Sequence, residues 1–144
     1  MTKVSPFLTF SGNCTQAIEM YEKAFKAQIE YKATYSQANK NEYNNTNEAQ
    51  KDWIYHAQLK IGKQTIMMCD DDDSDLNVGD GKEQRKSEVC LCVEFSAKEE
   101  LMYAYDVMKE DAIILEPMSS ASYSEAFVLL EDKFGIRWWL MMAH

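Results

Sequence analysis

Apolar residues recur along this chain first at intervals of two, then of three and four, then of two again, and each change of period marks an element. PFLTF, residues 6–10, reads as a short strand. SGNCTQAIEMYEKAF opens with turn residues and continues as a helix in which Ala17, Ile18, Tyr21, Ala24 and Phe25 make one apolar stripe. Asn13 stands at its N-cap with Gln16 three residues on, the spacing of a capping box. Gln28 to Tyr35 alternates like a strand. Residues 36–52, polar and rich in Asn, read as a long mobile loop. The clearest hairpin comes next. Trp53, Tyr55, Ala57, Leu59 and Ile61 form one apolar face of its first arm, and Ile54, His56, Gln58 and Lys60 form the other. Gly62-Lys63 turns the chain and QTIMM returns.

The plan then repeats beyond a charged, glycine-bearing connector. EVCLCVEF predicts a strand with Val89, Leu91, Val93 and Phe95 on one face and Glu88, Cys90, Cys92 and Glu94 on the other. SAKEELMYAYDVMKE predicts a helix with Ser96 as N-cap and Glu99 at the capping-box position. AIILEPM is a strand that Pro117 stops, EAFVLLED is another, and IRWWLMM closes the set. Phe10-Ser11 matches Phe95-Ser96, and Ile66-Met67-Met68 matches Leu140-Met141-Met142. The expectation is an α+β fold of two βαβββ modules in a single domain: module 1 over about 1–75, a linker over about 70–87, and module 2 over about 87–144. Helices cover one face of the sheets and the other face stays open.

Charge narrows the partners. The formal net charge of −9 opposes binding to nucleic acid or anionic lipid by bulk attraction, since both are polyanions. No stretch approaches the length of a membrane span and the N-terminus carries no signal-peptide pattern, so the expected location is the cytoplasm. The cysteines, Cys14, Cys69, Cys90 and Cys92, lack CxxC spacing and read as buried free thiols. Asp71, Asp73 and Asp75 have the first spacings of a calcium loop, but Leu76 and Lys82 stand where its glycine and closing glutamate belong. The run from Asp70 to Asp75 is therefore expected to be a solvated acidic loop.

PFLTFSGNCTQAIEMYEKAF, YHAQLKIGKQTIMMCDD and LLEDKFGIRWWL, in that order, resemble the PhnB-like branch of the glyoxalase/bleomycin-resistance/dioxygenase superfamily, also called vicinal oxygen chelate. The resemblance covers nearly the whole chain. It rests on a strand followed by Gly-Asn and a helix with Met20-Tyr21, on HAQLKIG, and on a terminal Asp-x-x-Gly hairpin with Trp. It implies paired βαβββ modules that curl into an incomplete barrel around a cleft, with helices outside, and it implies a homodimer. Active members hold one divalent metal through His, Gln or Glu. Carried onto this sequence, the first ligand falls near Pro6, the second near Glu88 and the third on Trp139, whose indole has no lone pair for a metal. No metal cofactor is expected at that position. A metal-dependent lyase, isomerase or dioxygenase is the alternative.

The resulting expectation is a binding protein for a small hydrophobic or aromatic ligand, with His56, Glu88, Arg137 and Trp139 as cleft candidates and Arg137 as an anion partner. His56 reads either as a hydrogen-bonding or general-base residue or as a structural histidine. A third reading places the aromatic residues in a dimer interface. On the last strand, Ile136, Trp138, Leu140 and Met142 are assigned to the helix-packed core, and Arg137, Trp139 and Met141 to the cleft face.

Overall fold

The computed structural model describes residues 2–38, 48–71, 89–122 and 124–143. The chain divides into two compact units, Met1–Lys82 and Glu83–His144. The first holds β1 (Phe7–Phe10), α1 (Cys14–Phe25), β2 (Gln28–Thr34), β3 (Ile54–Ile61) and β4 (Gln64–Asp70), with single 3-10 turns at Tyr35–Gln37 and Glu48–Gln50. The second holds β5 (Leu91–Phe95), α2 (Lys98–Met108), β6 (Ile113–Ala121), β7 (Ser124–Glu131) and β8 (Arg137–Met142). Their sheets run β1-β4-β3-β2 and β5-β8-β7-β6, with the first pair of each parallel and the rest antiparallel. The α+β plan of two βαβββ modules is as the periodicity predicts.

Each helix closes one face of its own sheet. Cys14, Ala17, Ile18, Met20, Tyr21, Ala24 and Phe25 of α1 are all buried, and α1 rests on β3 and β4. Asn13 is its N-cap residue, but its side chain makes no capping bond. The carboxylate of Asp70 takes that role from the end of β4. Its Oδ1 accepts the amides of Gly12 (2.8 Å) and Cys14 (2.9 Å), and its Oδ2 accepts that of Ile54 (2.9 Å). Asp70 is thus buried, the reverse of the solvated position expected for it; Asp72 to Asp75 lie outside the described residues. At α2 the cap is Ala97 rather than Ser96, again without a side-chain bond. Its extended backbone offers the carbonyl that receives Glu100 and Leu101, while Glu99 and Glu100 complement the helix dipole.

Three details of strand geometry depart from simple alternation. On β3, Ala33 pairs with His56 and Thr34 with Ile54, so Tyr55 is an extra residue. A bulge of this kind reverses the faces beyond it, so Ile54 joins Ala57 and Leu59 in the core while Tyr55 is half-buried. Pro117 does not stop β6, which continues to Ala121. β6 is the edge strand and its register with β7 slips on both sides of Glu116, which is where a strand tolerates a residue lacking an amide proton. Finally, Phe10 pairs with Asp70 and Phe95 with Met142, so Met68 is equivalent to Leu140 and Met67 to Trp139. The matching methionine triplets in the sequence were offset by two residues from the structural repeat.

Candidate functional site

On β8, Trp138, Leu140 and Met142 are buried while Arg137, Trp139 and Met141 are half-buried. α2 rests on β8 and β5 and turns in Leu101, Ala104 and Met108, so the buried set lies beneath the helix and the odd set on the opposite face. The two tryptophans have different work. Trp138 is fully enclosed, and its Nε1 donates to Asp132 Oδ2 at 2.9 Å. Asp132 Oδ1 accepts the amides of Phe134 (2.9 Å) and Ile136 (3.0 Å), and Gly135 supplies the positive φ of 91°. The Asp-x-x-Gly turn therefore closes the β7–β8 hairpin and satisfies the one polar atom of a buried indole.

Trp139 lies flat on Phe127, with ring centroids 5.0 Å apart and planes 9° from parallel. Along the sheet it is flanked by Cys92 of β5 and Leu129 of β7. Two residues earlier on the same face, Arg137 Nε donates to Glu131 Oε1 at 3.3 Å, directly across the strand pair. The guanidinium charge is balanced there, so an anion drawn to Arg137 competes with a carboxylate already in place. The structure thus brings Arg137 and Trp139 together. Phe127 was not singled out in the sequence, although counting back from the Asp132–Gly135 turn puts it one register step from Trp139's partner.

His56 belongs to the first unit, on the sheet face opposite α1. Its ring stands between Phe7, at 5.8 Å, and Tyr31, at 5.9 Å, both tilted. Gln58 Nε2 is 3.2 Å from His56 Nε2. With the amide as donor, the imidazole keeps its own proton on Nδ1. Phe7 and Tyr31 are each 51% exposed, so this aromatic bracket opens to solvent. Neither flanking ring is evident from strand periodicity, because both come from strands that are distant in sequence. Glu88 lies outside the described residues.

The cysteines divide differently from the expectation of four buried thiols. Cys14 is buried and Cys69 half-buried, but Cys90 and Cys92 are exposed. Their segment runs along the outer edge of the second sheet, where β5 pairs only with β8. Burial pushes the Cys92 thiol up, and the Glu94 carboxylate and then the Cys90 thiol add to the effect.

Two of the three expected metal positions, Pro6 and Trp139, offer no donor side chain, and the third, Glu88, lies outside the described residues. Pro6 has no donor side chain and its carbonyl accepts the Met67 amide at 2.9 Å, while Trp139 is an indole stacked on Phe127. Among the described residues no three His, Cys, Asp or Glu side chains converge. A separate concavity at the β6–β7 turn is lined, among the described residues, by Ala121, Ser122, Ser124, Glu125 and Ala143.

Residues 2–141 match the family model described as 3-demethylubiquinone-9 3-methyltransferase. Protein YjdN of Escherichia coli (strain K12) is 26% identical over 141 residues, covering 94% of this chain and 91% of that protein. The fold is shared with the PhnB protein from Bacillus cereus, at a TM-score of 0.75 and 24% identity over 99% of this chain and 100% of that one. It is shared also with the fosfomycin resistance protein FosX from Mesorhizobium loti, at 0.59 and 11% over 100% and 94%. With its βαβββ modules and its terminal Asp-x-x-Gly hairpin, and with residues 2–141 matched, the chain belongs to the 3-demethylubiquinone-9 3-methyltransferase family.

Proposed function

We propose that this chain binds a small planar or hydrophobic molecule on the face of its second sheet opposite α2, with the Trp139–Phe127 stack as the platform. The observation that carries this reading is a half-buried indole held flat against the Phe127 ring, on the face opposite α2. A preformed aromatic surface loses little conformational entropy when a ligand stacks on it, and the stacking contributes on the order of 1 kcal/mol beyond the area covered. The paired Arg137 and Glu131 at its edge offer a donor and an acceptor that would orient a polar substituent. His56, between Phe7 and Tyr31, would give the first unit a comparable surface with a hydrogen-bonding centre.

Titrating the protein with a panel of planar aromatic and saturated molecules, while following tryptophan emission, tests the reading. Planar members should quench or shift the emission saturably in the wild type, and Trp139→Ala and Phe127→Leu should each weaken binding about tenfold or more, the scale of a stacking residue at a binding centre. Equal binding by both variants would remove the platform. We read the molecule as a homodimer, a proposal supported by the exposed Ile113, Ile114 and Leu115 on the edge strand β6. Sedimentation equilibrium should return twice the chain mass; a monomer at micromolar concentration would end that part.

A further inference from the structure

We propose that Cys90 and Cys92 form a two-thiolate site for a soft, thiophilic metal ion such as Cu(I), on the edge of the second sheet. Both thiols are exposed and neither is in a disulfide, while Leu91 between them is half-buried, so alternation turns both sulfurs to one side of the segment, the side of Trp139. They are close enough for the Cys90 thiol to influence that of Cys92. Cys92 is level with Trp139 across the β5–β8 pair, and Glu94 is level with Met141.

The spacing selects among the things two thiols can do. Residues two apart on an extended chain are separated by about 6.6 Å and their side chains run parallel. A disulfide needs its Cβ atoms roughly 3.5–4.5 Å apart, so this pair closes one only with distortion. A bridging ion has a longer reach, because two metal–sulfur bonds of about 2.3 Å hold the sulfurs some 4.6 Å apart. No third His, Cys, Asp or Glu joins the pair among the described residues. Two thiolates suit a soft ion content with two sulfurs, such as Cu(I). On binding, each thiol gives its proton to solvent and each sulfur forms one bond to the metal. Two protons are released per Cu(I), with no change of oxidation state. Cys92 adjoins Trp139 across the β5–β8 pair, but the site uses neither the indole nor its stack on Phe127 and does not depend on the ligand-binding reading above.

The test is Cu(I) titration of the reduced protein under anaerobic conditions, in competition with a coloured Cu(I) chelator. The wild type should retain one Cu(I) per chain, and Cys90→Ser and Cys92→Ser should each weaken retention about a hundredfold, as expected when one arm of a chelate is lost. Cys69→Ser should retain the ion unchanged. Both test positions are exposed, so circular dichroism of the variants should match the wild type and separate lost binding from lost folding. Failure of the wild type to hold the ion against the chelator, retention unchanged in either test variant, or loss in Cys69→Ser would overturn the proposal.

Discussion

At the residue scale, two buried carboxylates do much of the organising. Asp70, 1% exposed, ties the start of α1 and the start of β3 to the end of β4 by accepting three amides. Replacing it with alanine leaves three donors without their acceptor, and charge-assisted bonds of this kind contribute about 1.5–3 kcal/mol each, though not additively. Asp70→Ala should therefore lower unfolding free energy by about 3–5 kcal/mol in urea denaturation. The adjacent tryptophans give a sharper contrast. Trp138→Ala removes a fully enclosed side chain and strands Asp132 Oδ2, for a loss of about 3–5 kcal/mol. Trp139→Ala should lose less than half as much, because its indole is only partly enclosed. Cys14 supplies a pH dependence. Burial pushes its thiol up, with the Asp70 carboxylate and then Cys69 adding to the effect. Below about pH 8.5 the folded and unfolded chains both keep that proton, and above it the unfolded chain releases it while the native chain does not. Stability should then fall by about 1.4 kcal/mol per pH unit on this account, and Cys14→Ala should lack that component when the two are compared by denaturation at pH 8 and pH 10.

At the scale of elements, the turn from β1 into α1 is the tightest constraint. Gly12 adopts φ +95°, and a Cβ placed there would stand 2.9 Å from Trp53 Cζ2. Gly12→Ala is expected to cost about 1–3 kcal/mol, read as a lower midpoint in thermal unfolding. Periodicity made most elements legible, since a stripe such as Ala17, Ile18, Tyr21, Ala24 and Phe25 has one plausible burial pattern. Three kinds of fact were not carried by periodicity. The bulge at Tyr55 reverses a face without leaving a mark in composition. The continuation of β6 past Pro117 depends on its being an edge strand, which is a property of sheet order. The cap supplied by Asp70 comes from 56 residues beyond Cys14, too far for any local pattern. The same reason explains the site. The division of Trp138 from Trp139 follows from alternation alone, but Phe127, and the rings on either side of His56, become neighbours only through strand pairing.

At the scale of the molecule, each unit is a four-stranded sheet with its own helix packed on one face. The repeat is structural more than chemical. Met67 of the first unit corresponds to Trp139 of the second on the faces away from the helices, and Asp70 to Met142 on the buried faces, so the two units share a frame but not its residues. No helix is long and apolar enough to cross a membrane among the described residues. The central claim is that the face of the second sheet opposite α2 is a binding platform, and Trp139 is its most direct reporter. Labelling the protein with 5-fluorotryptophan gives separate fluorine resonances for Trp53, Trp138 and Trp139, assigned by single Trp→Phe variants. Addition of planar aromatic ligands should move the Trp139 resonance saturably and leave enclosed Trp138 nearly still. Ligand binding established by calorimetry with the Trp139 resonance unmoved would contradict the claim.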